Sequence, residues 1–568
     1  MALGSALQIG KSGLIAAQAA IEVTGNNLVN IGTRGYHRRS INLTPIRGEN
    51  LVADTFIGRG VQVQAILRHV DEALEGRIRD SIADQSASAA RRDILAQIEA
   101  LQNEFTDNDL SSQLADFFNA WSELANNPRD NSLRSLVVQS GDKLASFIKN
   151  LKGELVDLRL QVDHAIDGAA SAADDLLQRI EVLNEQIVTQ EAGGGRTAHS
   201  LRDERDLVLG ELAEYLDISV NEQPSGVVDV FVGALPMVLN GDSRGIEVRR
   251  TTINGNLQID LVIKDDGSVL IPTSGRIGSL LSARVDDVTG AIDTLDQYAN
   301  DLIYHVNRVH SQGQGLDLFD SVTGLTRVAD TAVVLTDPAT AVPFAIGHGS
   351  FQIHVTQKST GQRTTQTINI DLDGIGGNDT TLTDLAAALN AVPTVNASIT
   401  TDGRLQISAA GADFALGFSD DTSGVLAALG INSYFAGEDA SDIQVNDLLT
   451  TSVRLLAAAR NHDQGDNSNA LAMADLRTDP IASLNGLSLA EVWGRHVEDY
   501  AIRLGQTRAG LDANTIVRGN LETQQQQTSG VSADEEAINL LTFQRTFQAS
   551  ARFLQVVDEL IETMLSLV

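Results

Sequence analysis

The sequence predicts a multidomain α+β protein. Its N- and C-terminal helices pair as a coiled coil, its middle is a long helical bundle, and two β-rich domains are inserted into it. Three observations carry this prediction. Apolar residues recur at gaps of three and four at both ends of the chain, the same rhythm runs through a long central stretch, and the period switches twice from helix to strand and back.

The C-terminal stretch has the clearest rhythm. Ser532 and Glu535 have capping-box spacing. Behind them Leu540, Phe543, Phe547, Ser550, Leu554, Val557, Ile561, Met564 and Val568 form a seam with no Gly or Pro to interrupt it. At the other end Leu3, Leu7, Gly10, Leu14, Ala17, Ile21, Thr24, Leu28 and Ile31 keep the same spacing, with Gly10 and Thr24 as weak layers. An interior glycine costs a helix about 1 kcal/mol relative to alanine, so the N-terminal helix is marginal alone. Two such seams can fold on each other and on copies of themselves; the pattern also suits two core helices of one globular domain.

Between the ends, Asn26 to Arg39 reads as a helix stop and turn, and Ser40 to Leu67 as strand. Helix resumes near Val70. Ile94, Ile98, Leu101 and Phe105 make one face, and Leu110, Leu114, Phe117, Trp121 and Leu124 another, closed by Asn126, Asn127 and Pro128. A long helix follows from Leu144 through Leu151, Leu158, Ala165, Ala172 and Leu176. It resumes at Ile180 after a shift of phase and stops at Gly193 to Gly195. Leu207, Leu212 and Leu216 mark a shorter helix. Strands are expected at Ile218–Val220, Val227–Val232, Ile246–Val248 and Leu257–Ile263. Helix is expected from Ile277 to Arg308, with Leu280, Val285 and Val288 inside. A second strand-rich segment carries Phe351–Val355, Thr367–Leu372, Ala397–Thr400 and Leu405–Ser408, with one helix at Leu382–Leu389; helix is then expected from Val445 onward.

The expected domains are therefore 1–69 with 531–568 (terminal helices and a strand-like linker), 70–216 with 276–328 and 441–530 (a helical rod), 217–275 (a small β domain) and 329–440 (an outer β-rich insert).

Composition limits function. The 568 residues carry a formal net charge of −34, which disfavours nucleic acid and anionic membrane as partners. Residues 1–70 hold seven basic against three acidic side chains, leaving −38 on the rest. Such a basic end can dock on an acidic body of another copy, or its arginines can solvate a loop. There is no cysteine, and no run is apolar and long enough to cross a membrane. The N-terminal stretch lacks the layout of a cleavable signal. Histidines show no metal-ligand spacing, and Gly193 to Arg196 lacks the Lys-Ser/Thr of a phosphate loop. Asp371 to Asp379 and Asp463 to Asn469 read as Asx-Gly turns rather than calcium loops. No catalytic, cofactor or metal residue is expected.

Two terminal stretches resemble the axial proteins of the bacterial flagellum, the rod, hook and hook-associated family. They are Asn26-Asn27-Leu28-Val29-Asn30 with Thr33-Arg34-Gly35-Tyr36, and Ser529 to Glu536 with Phe543 to Ala551. The long helical segment 70–216, Gly465 to Leu476, and Val306 to His310 with Gly315 to Phe319 resemble the members that join hook to filament. Gly32, Arg34 and Phe547 depart from the family's usual Asn, Pro and Tyr. The resemblance implies a structural subunit, not an enzyme. It implies a ring of copies with hook protein below and a second junction protein and filament above, and a cytoplasmic export chaperone on the C-terminal helix. It also implies an extracellular place on the flagellum, reached by type III export without a cleaved signal. The assembly residues it implies are Leu3, Leu7, Leu14, Ile21, Leu28, Asn26, Asn27, Asn30, Thr33, Gly35 and Tyr36, with Leu540, Phe543, Phe547, Leu554, Val557, Ile561 and Met564. Another axial subunit (hook or distal rod), or a secreted adhesin or enzyme carried by the outer lobe, are the alternatives.

Overall fold

The structure is a computed structural model that describes residues 2–47, 49–52, 55–104, 109–192, 197–253, 256–460, 463 and 465–566. The chain forms two compact units, one from Met1–Asp93, Val162–Ala283 and Gln506–Val568, the other from Ile94–Gln161 and Arg284–Gly505. Helix and sheet are mixed, with a helix at each end of the chain.

In the first part of the chain, α1 (Ala2–Val29) is followed by β1 (Arg39–Pro45), β2 (Glu49–Val52), β3 (Thr55–Ile57) and β4 (Val61–Arg68). Antiparallel β1 and β4 run from Arg39 opposite Arg68 to Pro45 opposite Val61, with one bulge after Asn42. Helices α2 (Glu72–Gln102), α3 (Leu110–Asn126), α4 (Asn131–Glu191) and α5 (His199–Ala213) come next. Then follow β5 (Ile218–Glu222), β6 (Val228–Val232), β7 (Leu235–Leu239), β8 (Asp242–Ser243), β9 (Ile246–Ile253), β10 (Asn256–Ile263) and β11 (Val269–Leu270). They make a four-stranded sheet in the order β5-β6-β7-β8 and a three-stranded sheet in the order β11-β10-β9.

The core of the first unit joins these sheets to the helices. Leu74, Ile78 and Ile82 of α2, Ala173, Leu177 and Ile180 of α4, and Val208, Leu209 and Leu212 of α5 pack with Val230, Met237, Leu261 and Ile263. Helix α4 is buried at Leu144, Ile148, Leu151, Leu155, Leu158 and Val162, then at Ile166, Ala169, Ala173, Leu177 and Ile180. The phase therefore shifts directly after Val162, leaving the predicted Ala165, Ala172 and Leu176 only half-buried. A four-residue step instead of three is a stutter in the heptad, and it falls where α4 leaves one unit and enters the other.

Helix α6 (Gly275–Ser282) belongs to the first unit; a π-helical segment (Ala283–Thr289) then leads into α7 (Gly290–His310) of the second. Next come β12 (Ser321–Thr323), β13 (Gly349–Gln357), β14 (Arg363–Ile370), α8 (Leu382–Asn390), β15 (Val395–Ile399), β16 (Leu405–Ala409), β17 (Phe414–Ser419), α9 (Val425–Ala428), β18 (Phe435–Ala436) and β19 (Gln444–Val445). The sheets are ordered β14-β13-β17 and β12-β16-β15. Helix α8 starts at a complete capping box between Thr381 and Asp384. Thr381→Ala is expected to lower the stability of this strand-rich region by about 1 kcal/mol, read as a shift in the denaturant midpoint of its amides by hydrogen exchange.

An aromatic cluster centres this unit. Phe117 and Trp121 of α3 meet Tyr434 at ring distances of 5.3 and 5.7 Å, and His310 and Phe435 close the cluster. The Tyr434 hydroxyl donates to the Val137 carbonyl at 2.7 Å. Buried amides pin the loops around it. Asn307 accepts from the Tyr434 and Phe435 amides and donates to the Phe435 carbonyl, and Asn469 donates to Ala457. His310 accepts from the Ala457 amide, so its Nδ1–H donates to the Asn432 carbonyl.

Burial of this kind makes the second unit sensitive to acid. Burial pushes His305, His310, His354 and His496 each down to about 4 from the ordinary 6.5. Between those values the unfolded chain binds more protons than the folded one, so stability is lost as pH falls. The expected result is a denaturant midpoint for this unit that drops steadily from pH 6.5 to pH 4. Hydrogen exchange in α7 across that range checks it.

Four expectations are corrected. Val285, predicted inside, is 58% exposed. The π segment puts an extra residue into the turn and rotates Asp287 inward, where its carbonyl accepts the Tyr500 hydroxyl. The helix predicted from Val445 onward is broken into α10 (Asp447–Thr451), α11 (Ser468–Asp475), α12 (Leu489–Ser529) and α13 (Ala533–Ser566). Pro480 and the left-handed Asn485 and Gly486 lie in the gap before α12. Strand pairing of the second β segment begins at Ser321, before Ala329. Strand β7, with Pro236 in it, and strand β17 were not anticipated. Phe105, Gly193 to Gly195, Gln464 and Val568 lie outside the described residues.

Candidate functional site

The terminal helices and the strap that follows α1 form one assembly within the first unit. Helix α13 begins where the Ser532 hydroxyl accepts the Glu535 amide at 3.4 Å. The Glu535 carboxylate does not complete a capping box; it faces Arg38 at 3.3 Å. Along α13, Val557 is buried, and Leu540, Phe543, Phe547, Ser550, Leu554 and Ile561 are half-buried, at the positions of the sequence seam. Met564 of the same series is exposed.

In α1 the buried positions include the small members of the predicted seam, Gly10, Ala17 and Thr24, rather than its leucines. Leu7 and Ile31 are exposed, and Leu14, Ile21 and Leu28 are half-buried. The side chain of Leu3 is outside the described ones. Residues with little or no exposure are Gly10, Ala16, Ala17, Ala20, Thr24 and Asn27. A Cβ on Gly10 would stand 2.7 Å from Leu554, and one on Gly13 would stand 2.9 Å from the Ser550 hydroxyl. Small residues let the backbones approach while α13 supplies the bulk; the large side chains of α1 flank the contact. The apolar residues Ile15 on α1 and Ile538, Leu541, Phe553, Val556, Leu560 and Leu565 on α13 remain exposed.

A polar strap fixes this pair to α2 and α5. Buried Asn27 donates to Glu536 at 3.1 Å and to the Arg39 carbonyl at 2.8 Å, and its own oxygen accepts the Arg39 amide and the Tyr36 hydroxyl. Tyr36 also reaches Asn26. Asn30 turns back onto Asn26, and Thr33 donates to Asn30. Gly35 adopts φ +78°, which favours glycine, and it sits over Leu207 of α5. Arg38 donates its amide to Ser529 and its guanidinium to Glu536. Arg39 and Arg68 converge on Asp203 at 2.8 and 3.0 Å, and Arg68 also meets Asp206 at 2.7 Å. Beside the strap lies a polar cleft of about 920 Å³, lined by residues from Asn30 to Arg38, from α2 and α5, and from Arg518 to Glu535.

His37, 4% exposed, has its Nδ1 at 2.9 Å from Asp203 and its Nε2 at 3.6 Å from Glu75. Burial alone would lower its pKa, but the two carboxylates outweigh burial and raise it to about 9. Burial raises the pKa values of Asp203 and Glu75, but His37 with Arg39 and Arg68 at Asp203, and His37 with Gln525 and Arg79 at Glu75, together outweigh it and hold both below the usual carboxylate range.

The structure thus gathers Asn26, Asn27, Asn30, Thr33, Gly35 and Tyr36 in one strap, and the α13 seam against α1. Sequence reading missed His37, Arg38, Arg39, Arg68, Glu75, Asp203 and Glu536. The basic bias of residues 1–70 was the signal for the arginines among them: Arg38, Arg39 and Arg68 meet Glu535, Glu536, Asp203 and Asp206 of the same chain. Among the described residues, His348, Asp371 and Asp373 place ligand-type atoms within 4.8 Å of one another. The carboxylate of Asp373 accepts the Ile375 amide, as in an Asx turn, and that of Asp379 closes the loop by accepting the amide of Gly374, five residues earlier. No described helix is long and apolar enough to cross a membrane.

Three family models match the chain in order. A flagellar basal body rod protein model matches residues 7–37, the helical domain of flagellar hook-associated protein FlgK matches 95–324, and the C-terminal model of flagellar basal body rod FlgEFG proteins matches 523–567. The two outer matches cover α1 with its strap and α13. Flagellar hook-associated protein 1 of Escherichia coli K12 is 25% identical over the whole of both chains. Its counterpart in Bacillus subtilis 168 is 25% identical over 99% of this chain and 97% of its own. The solved flagellar hook junction protein FlgK of Burkholderia pseudomallei aligns with a TM-score of 0.50 at 15% identity, over 80% of this chain and all of its own.

Proposed function

We propose, for a chain related along its whole length to flagellar hook-associated protein 1, that it is a structural subunit of the bacterial flagellum at the junction between hook and filament. The observation that carries this is the order of the matches: a rod-type segment on α1 and its strap, the helical hook-associated domain in the middle, and a rod-type segment on α13. That middle match favours a junction subunit over a hook or distal-rod subunit.

In this reading the protein is not an enzyme. The terminal helices pair as a coiled coil, and residues 1–69 with 531–568 face the inner tube. The helical rod and the two inserted β domains lie outside them. Copies form a ring, with hook protein below and a second junction protein and filament above. The exposed apolar residues of α1 and α13 support this, because side chains such as Phe553, Val556 and Leu560, spaced along one side of α13, face water on a single chain. Before assembly a cytoplasmic chaperone covers α13, and the subunit leaves the cell by type III export without a cleaved signal.

The test is deletion of the gene, followed by electron microscopy of the cells. Hooks without filaments are expected, with filaments restored by the intact gene. Cells that lack hooks, or that grow ordinary filaments, would refute the reading.

A further inference from the structure

We propose that His37 is an imidazolium keystone that docks the terminal helix pair on α2 and α5 and releases it in alkaline solution. The geometry sets the protonation state. A neutral imidazole carries one N–H. Each ring nitrogen of His37 faces a carboxylate, Asp203 of α5 at 2.9 Å and Glu75 of α2 at 3.6 Å. Only the doubly protonated ring offers a donor to both, and at a side chain this buried an unmet polar contact is costly.

The position of the ring gives that proton leverage. On one side of His37, Tyr36 bonds Asn27 of α1; on the other, Arg38 bonds Glu536 of α13 and Ser529 at the end of α12. The strap therefore belongs to the helix pair, and the His37 ring reaches from it to the body. The charged and titratable groups packed around the ring are Asp203, Asp206 and His199 from α5, Glu75 and Arg79 from α2, and Arg39 and Arg68 from the β1–β4 hairpin; Gln525 of α12 donates to Glu75.

Loss of the proton leaves Asp203 with Arg39 and Arg68, but takes from Glu75 its closest cation. The two carboxylates also hold the proton on the ring to about pH 9. The stability it supplies is complete below the free histidine value of 6.5 and is lost as pH rises through about 9. Asp203 and Glu75, whose pKa values are depressed, lose theirs only on acidification, so they add nothing to an alkaline step. The keystone is independent of whether the chain assembles at a flagellar junction.

Hydrogen exchange on the full-length chain between pH 7 and pH 10, corrected for intrinsic rates, tests this. Protection of α1 and α13 is expected to fall about tenfold or more, while α4 and α7 keep theirs. In His37→Gln the step should vanish, because the amide does not titrate. In Glu75→Gln it should move to lower pH, because one carboxylate no longer holds the proton. Flat protection of α1 and α13 in the native chain, or a step of unchanged size in His37→Gln, overturns the proposal. If His37→Gln fails to fold, the shift in Glu75→Gln decides it: a step at unchanged pH is then the refuting result.

Discussion

Leu554→Asp is expected to separate the terminal helices. Leu554 packs over the bare backbone of Gly10, where even a methyl group on the glycine would come within 2.7 Å. A carboxylate there loses the leucine's packing and finds no donor on the small-residue face of α1 opposite. Removing the packing and partly burying an unpaired charge together cost about 3 kcal/mol or more. An isolated α1 with glycines at positions 4, 10, 13 and 25 is weak without its partner. Hydrogen exchange should show α1 and α13 losing protection together while α7 is unchanged. In a motile strain the variant should export poorly or fail to grow filaments, and Ile561→Asp should do the same more weakly. Native protection and normal swimming in Leu554→Asp would contradict the packing described for this seam.

Gly141→Ala should have a comparably large effect in the second unit. A Cβ at position 141 would stand 2.1 Å from the Tyr434 hydroxyl and 2.8 Å from its ring. Tyr434 is wholly buried, held between Phe117, Trp121 and Phe435, and bonded through its hydroxyl to Val137. It cannot swing away without breaking that bond and opening the cluster. In an exposed helix the same substitution would help by about 1 kcal/mol. Here overpacking should reverse the sign and cost about 2 kcal/mol or more. Chemical denaturation followed by tryptophan fluorescence checks it, since Trp121 lies in the cluster. Gly141→Ala combined with Tyr434→Phe should recover part of the loss.

Periodicity carried much of the fold. The limits of α3, the long run of α4, strands β13 to β16 and helix α8 are all legible as patterns within a window of ten or twenty residues. The errors share a cause. Val285 was placed inside because a pattern assumes a uniform turn, and the π segment adds a residue. The phase shift in α4 was placed after Leu176 because alanines fit either face, and burial at Ile166 and Ala173 puts it after Val162.

The candidate site divides in the same way. The α13 seam could be read from sequence because its side chains are large and regularly spaced. The α1 face could be read only in part: its predicted seam held Gly10, Ala17 and Thr24, which are buried, beside leucines that are half-buried or exposed. Hydrophobicity ranks Leu7, Leu14 and Ile21 above Gly10, Gly13 and Ala20, whereas the bulk of Leu554 and Phe553 favours the small residues. The family motif marked Asn27 and Tyr36 without giving their partners, and the basic bias of residues 1–70 marked Arg38, Arg39 and Arg68 without theirs. By itself the sequence determined most of the helices and strands, though not the breaks after Val445 or strands β7 and β17, and it placed seams at both ends, because those properties depend on neighbours a few residues away. Only the tertiary structure decided that the small residues of the α1 seam are covered more than its leucines, and that both ring nitrogens of His37 face carboxylates. Those depend on side-chain volume and charge brought from Glu75, Asp203, Glu536 and Leu554, which no local pattern encodes.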